Sequence, residues 1–139
     1  KGKVYLEEAS LWPETNGRYV TTHLVSSVSL LGSRPDLLKK WIAAQVELTE
    51  WINSHPDEAK RILNDEIKAE TTKRLEPAIL DSAWNRIMLT DDPVTKSLLK
   101  SAEDAYKVGF LKAQPNLSRI YNLKLLNEVL REKQMPEVR

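Results

Sequence analysis

The chain has 139 residues, with 21 basic and 20 acidic side chains for a net charge of +1, and is 41% hydrophobic and 29% charged. That is one domain's worth of ordinary globular composition, with interleaved charge that speaks against a nucleic-acid footprint or a polybasic membrane contact. Cysteine is absent, which excludes disulfides, thiolate metal sites and a cysteine nucleophile, and no apolar run approaches the ~20 residues that span a bilayer.

Val4-Tyr5-Leu6 is a short apolar segment followed by Glu7 and Glu8, and it reads as a short strand. Pro13, Asn16 and Gly17 are turn formers. Arg18 to Ser27 then collects Tyr19, Val20, Thr21, Thr22 and Val25, the β-branched and aromatic residues of a second strand. A strand needs neighbours for its backbone groups, and the only candidate partner is the first strand, so the chain looks incomplete. It opens on Lys-Gly-Lys without an initiator methionine, which fits an expected preceding segment.

Everything beyond Pro35 is helical in pattern. Ser33 reads as an N-cap with Asp36 three residues on and Pro35 in the first turn. Leu37, Trp41, Ala44, Leu48 and Trp51 recur at helical spacing until His55-Pro56 ends the run near Asn53. Pro56 opens a helix fading around Glu70, and Pro77 one that carries Ile79, Leu80, Ala83, Trp84 and Ile87. Asp91-Asp92-Pro93 marks a fourth start, and Asn122 caps a last helix over 123–133. Two short strands and about five helices suggest one lobe of an α/β protein; the alternative of equal weight is a small helical domain with a decorative hairpin.

The two histidines, His23 and His55, form no zinc motif, and no phosphate-cradling glycine loop or G-x-S-x-G occurs. No metal or cofactor is expected, and no catalytic group. Arg18, Thr21, Thr22 and His23 are the one polar cluster on an element expected to be buried. Period-two alternation puts Tyr19, Thr21 and His23 on one face and Arg18, Thr22 and Leu24 on the other. Such groups could hydrogen-bond a small anion or simply stitch two parts of the protein together. The tryptophans at 41, 51 and 84 sit at helical spacing as core residues.

The run LWPETNGRYVTTHLV…RPDLLKKWIAAQVEL (Leu11 to Leu48) resembles the periplasmic substrate-binding proteins of ABC importers, in the branch handling aliphatic sulfonates, nitrate and taurine. The segments TEWINSHPDEAKRILNDEI, AILDSAWNRIMLTDDPVTKSLLKSAEDAYKVGFL and NLKLLNEVLREK are similar to the same family, in the same order. The resemblance covers only the C-terminal part of such a protein. It implies the C-terminal portion of a two-lobed type II binding-protein fold, with 1–17 ending the second lobe and approaching the hinge. Residues 18–139 would then be the hinge-crossing strand and the C-terminal helices of the first lobe.

The implied role is capture of a small anion and delivery to membrane permease subunits; Arg18, Thr22 and His23 of the polar cluster, near the implied hinge, are the candidate ligand contacts, although they match no binding motif of the family residue by residue. The implied compartment is the periplasm, or an extracytoplasmic lipid anchor. Two other readings stay open: a thiamine-precursor-synthesis enzyme on the same fold, and a stand-alone helical interaction module. Unpaired strand edges and helix stripes without a sheet lead us to expect self-association of the chain.

Overall fold

The computed structural model describes residues 3–139. Six α-helices follow two 3₁₀ turns, Glu8–Leu11 and Pro13–Thr15: α1 (Val28–Ser33), α2 (Pro35–Ser54), α3 (Pro56–Thr71), α4 (Pro77–Trp84), α5 (Thr95–Lys107) and α6 (Lys124–Glu132). No strand or sheet occurs among the described residues. The expected α/β architecture with two short strands is therefore incorrect, and the chain is all-helical. The physical reason is the absence of a partner edge. Val4 to Leu6 and Arg18 to Ser27 are extended but meet no ladder, and Thr21 bends the second segment. Its backbone bonds among the described residues are Arg18 N–H to the Thr15 carbonyl, Arg18 C=O from the Thr15 hydroxyl, Val20 N–H to Ser97 Oγ, and the Ser27 carbonyl from Leu31 N–H and the Ser26 hydroxyl.

The proline-marked helices form where expected. Pro35, Pro56 and Pro77 each occupy the first turn of a helix, where a missing N–H costs nothing. α1 is the helix the sequence pattern does not announce. Ser27 Oγ accepts from Leu30 N–H at 3.0 Å to start it, and the restriction on the residue before Pro35 stops it at Arg34. Ser33 thus closes α1 instead of capping α2, and its hydroxyl donates to the Ser29 carbonyl. Asp36 pairs with Arg34. α4 ends at Trp84, so Ile87 lies beyond it and is exposed.

The principal core is the seam where α2 meets α6. Val46, Val129 and Leu130 are fully buried there, with Ile42, Ala43, Leu126, Met135 and Val138 packed around them. Salt bridges Lys39–Glu132 (2.6 Å) and Lys133–Glu47 (2.9 Å) flank the seam. Asn127 folds the C-terminal tail onto it, donating from Nδ2 to the Val138 carbonyl while Oδ1 accepts from Val138 N–H, both at 2.9 Å. Asn64 clamps Leu75 after α3 in the same two-point way, at 3.0 and 2.8 Å. Trp41, expected in the core, is half exposed, whereas Trp12 in the turn is buried.

This core is small for the chain. The accessible surface is 10,983 Å², whereas a compact monomer of 15.9 kDa has about 7,400 Å². Val4, Tyr5, Val25, Val28, Ile79, Ile87, Met88, Val108 and Phe110 contribute to the excess. Only Val28 and Ile79 of these lie in helices, so the most exposed apolar side chains belong chiefly to the segments outside them, with Leu37, Trp41, Leu48, Ile62 and Leu63 adding half-exposed helix positions.

Candidate functional site: the polar stitch around Arg18 and His23

The site begins with a tight turn. Gly17 (φ +77°) brings the backbone back so that its N–H donates to the Trp12 carbonyl at 2.8 Å. A Cβ at position 17 would stand 3.3 Å from the Ala9 Cβ, so glycine serves both the conformation and the fit. The turn stacks Trp12 on Tyr19 with centroids 5.7 Å apart, and the Lys100 ammonium from α5 lies 5.1 Å from the centre of a Trp12 ring. Trp12 Nε1 is buried without a partner.

From that anchor the extended segment runs across the start of α5. Arg18 Nη2 donates to Asp92 Oδ2 at 2.9 Å, while Asp92 Oδ1 accepts from Val94 N–H at 2.9 Å. Val20 N–H donates to Ser97 Oγ, whose hydroxyl donates to the Val94 carbonyl at 2.8 Å. His23 Nε2 lies 3.3 Å from the Pro93 carbonyl and 2.9 Å from the Tyr121 hydroxyl. The carbonyl can only accept, so one tautomer donates Nε2–H toward it and the other accepts from Tyr121.

Burial, reinforced by the Asp92 carboxylate, pushes the Tyr121 hydroxyl above its ordinary range and keeps it a neutral donor. Asp91 is also pushed up, by burial first, with Glu50 adding to the effect and Thr49 opposing it.

The turn that receives these contacts is strained. Val94 has φ +45°, a left-handed conformation that a β-branched residue adopts at a cost. Its N–H on Asp92 and its carbonyl on Ser97 hold it there. A groove of about 420 Å³ adjoins the cluster, lined by Thr95, Leu99, Glu103, Gln114, Ser118 and Tyr121 among others. A hollow of about 480 Å³ on the other side takes in Asp91, Asp92, Leu130 and Arg139.

Of the three residues singled out in the sequence, Arg18 and His23 converge on the Asp92-Pro93 turn, and Thr22 is exposed with no hydrogen bond from its side chain among the described residues. Arg18 and His23 therefore share a direction. The bend at Thr21 removes the alternation that placed them on opposite faces of a strand.

Sequence reasoning missed Asp92, Ser97 and Tyr121 as their partners. Asp91-Asp92 reads in the sequence as a helix cap, but the N-cap of α5 is Val94 with no side-chain cap bond, and Asp92 accepts from Val94 N–H in the turn before the helix. Nothing local signals contacts made across 74 to 98 positions. Chemically the cluster offers Arg18, His23 and Tyr121 as donors to an oxyanion, with the Asp92 carboxylate now accepting from Arg18.

Among the described residues there is no group of His, Cys, Asp and Glu arranged to hold a metal ion, and no helix long and apolar enough to cross a membrane. Comparison with protein-family models, with curated proteins and with solved structures finds no match to this chain.

Proposed function

We propose that this chain is the helical part of a substrate-capture protein feeding an ABC importer. In this reading it is a binding component and not an enzyme. It encloses a small anion, such as an aliphatic sulfonate, nitrate or taurine, between its own helices and a second body of protein. The ordered resemblance from Leu11 through the last helix suggests the class. One structural observation carries the reading: the accessible surface is about half as large again as that of a compact monomer, so the apolar faces call for a cover. The backbone of Thr22 to Ser26, which makes no hydrogen bond among the described residues, supports it, since such chain seeks an edge.

In this proposal Arg18 and His23 supply charge-assisted bonds to the anion's oxygens. The ligand competes with Asp92 for Arg18, and closure of the second body favours the ligand-bound state. Delivery is to permease subunits at the extracytoplasmic membrane face, from a periplasmic or lipid-anchored position. Thr22 has no side-chain bond and stays a candidate contact only in the closed state.

Calorimetry of the complete gene product with alkanesulfonates, taurine and nitrate tests this. Heat with one of them, reduced by Arg18→Ala, supports the reading, and no heat with any of them rejects it. The all-helical architecture favours a second reading, a helical interaction module that uses the same uncovered faces. A clean monomer in sedimentation velocity at high concentration, with no anion binding, would select that one and would contradict the self-association expected of the exposed faces.

A further inference from the structure

The chain has seven asparagines, and they differ in how far each side chain is committed. Asn53, Asn64, Asn116, Asn122 and Asn127 each hold a hydrogen bond through the side-chain amide. Asn16 and Asn85 are exposed, and their side chains make none among the described residues. Asn85 is followed by Arg86. Asn16 is followed by Gly17, which has no side chain to hinder approach to its own amide nitrogen.

That pair sits in the turn that anchors the N-terminal arm. Gly17 N–H is spent on the Trp12 carbonyl at 2.8 Å, and Asn16 is left-handed, at φ +53° and ψ +42°. A ring closing between the Gly17 nitrogen and Asn16 Cγ needs that nitrogen eclipsed with Cβ about the Cα–C bond. At this ψ the two are far from eclipsed. The closed turn therefore withholds the nucleophile twice, by rotation and by its hydrogen bond. Local opening releases it, and the Arg18–Asp92 pair that resists opening is more than a third exposed.

We propose that Asn16 is a modification site gated by the arm: it deamidates when the turn opens, and its isoaspartate form cannot re-dock. The deprotonated Gly17 nitrogen attacks Asn16 Cγ and ammonia leaves, which gives a five-membered imide. Water then opens either imide carbonyl, so the net change is hydrolysis of an amide to a carboxylate and ammonia. Opening at one carbonyl gives aspartate, which the left-handed turn accepts. Opening at the other gives isoaspartate, with an extra carbon in the backbone. Gly17 N–H then no longer meets the Trp12 carbonyl in register, and space is short, since a Cβ at Gly17 would already stand 3.3 Å from Ala9. Either product takes the chain from a net charge of +1 to neutral. Neither the reaction nor its gate depends on anion capture.

Timed incubation of the full chain at mildly alkaline pH, followed by peptide mapping with mass spectrometry, tests it. Conversion is expected at Asn16 ahead of every other asparagine. Asp92→Ala frees the arm and should speed it about fivefold, the protection that one hydrogen bond supplies, with no change at Asn85. The parent in urea, where no turn survives, should also convert faster than the folded parent. Trypsin should cut after Arg18 sooner in the isoaspartate-containing chain than in Asn16→Asp, while the α2–α6 amides stay protected in both. Conversion led by another asparagine would overturn the proposal. So would a folded parent that converts as fast as Asp92→Ala or as the chain in urea, or equal cleavage of the isoaspartate and Asn16→Asp chains.

Discussion

The α2–α6 seam and the N-terminal arm over 3–27 are held to the molecule by different physics. The seam buries Val46, Val129 and Leu130 almost completely, and its salt bridges are peripheral. The arm buries one large side chain, Trp12, and otherwise depends on two ion pairs, Arg18–Asp92 and Glu7–Arg86, whose partners are each more than a third exposed, a strained turn and a few hydrogen bonds. Burial of apolar surface is non-directional and sums over many atoms, whereas each polar stitch yields about 1 kcal/mol and is lost with one partner. The seam is thus the stability centre, and the arm is the part that can exchange its contacts.

The largest effect should come from the seam. Leu130→Ala removes a side chain 1% exposed and is expected to cost about 3 kcal/mol in urea denaturation. A loss below about 1 kcal/mol would mean that the seam is not the centre of stability. Asp92→Ala breaks both the Arg18 pair and the Val94 N–H bond. It is expected to cost roughly 1–2 kcal/mol, discounted for exposure. Limited proteolysis should show faster cleavage after Arg18, with the α2–α6 amides still protected from hydrogen exchange.

Val94→Gly relieves the left-handed strain and should raise the thermal midpoint, a gain of about 1 kcal/mol less the entropy of glycine. The smallest effect is at Asp91. Its carboxyl is raised in the folded state, so ionisation costs stability: the penalty is absent below the unfolded pKa of about 4 and present once pH exceeds the folded value. Asp91→Asn should therefore be more stable than the parent at neutral pH and indistinguishable from it in acid. A difference that grew in acid would reverse the assigned cause.

Helices were legible wherever proline and apolar spacing agreed. Pro56 to Thr71 forms as read, and the starts at Pro77 and near Asp92 are close to their expected places. Each of those signals is local, because proline fixes φ and the stripe sets the face. The strands were misread because β-branched composition in Tyr19 to Val25 reports fitness for a sheet, and only a neighbouring edge makes a sheet. Short α1 escaped because six residues carry too little periodicity to be seen. At the site, Arg18 and His23 were legible as polar residues on an apolar segment. Their partners were not, since Asp92 and Tyr121 reach them only through the packing of α5 and the turn before α6.

The uncovered surface has a thermodynamic consequence. A fully extended chain of this mass exposes about 23,000 Å², so folding removes roughly 12,000 Å² where a compact monomer would remove about 15,700. Both the unfolding heat capacity and the denaturant m-value scale with that difference. This chain should show about three-quarters of the values normal for its length. Its melting transition will therefore be broad and its stability curve shallow until something else lies against those helices.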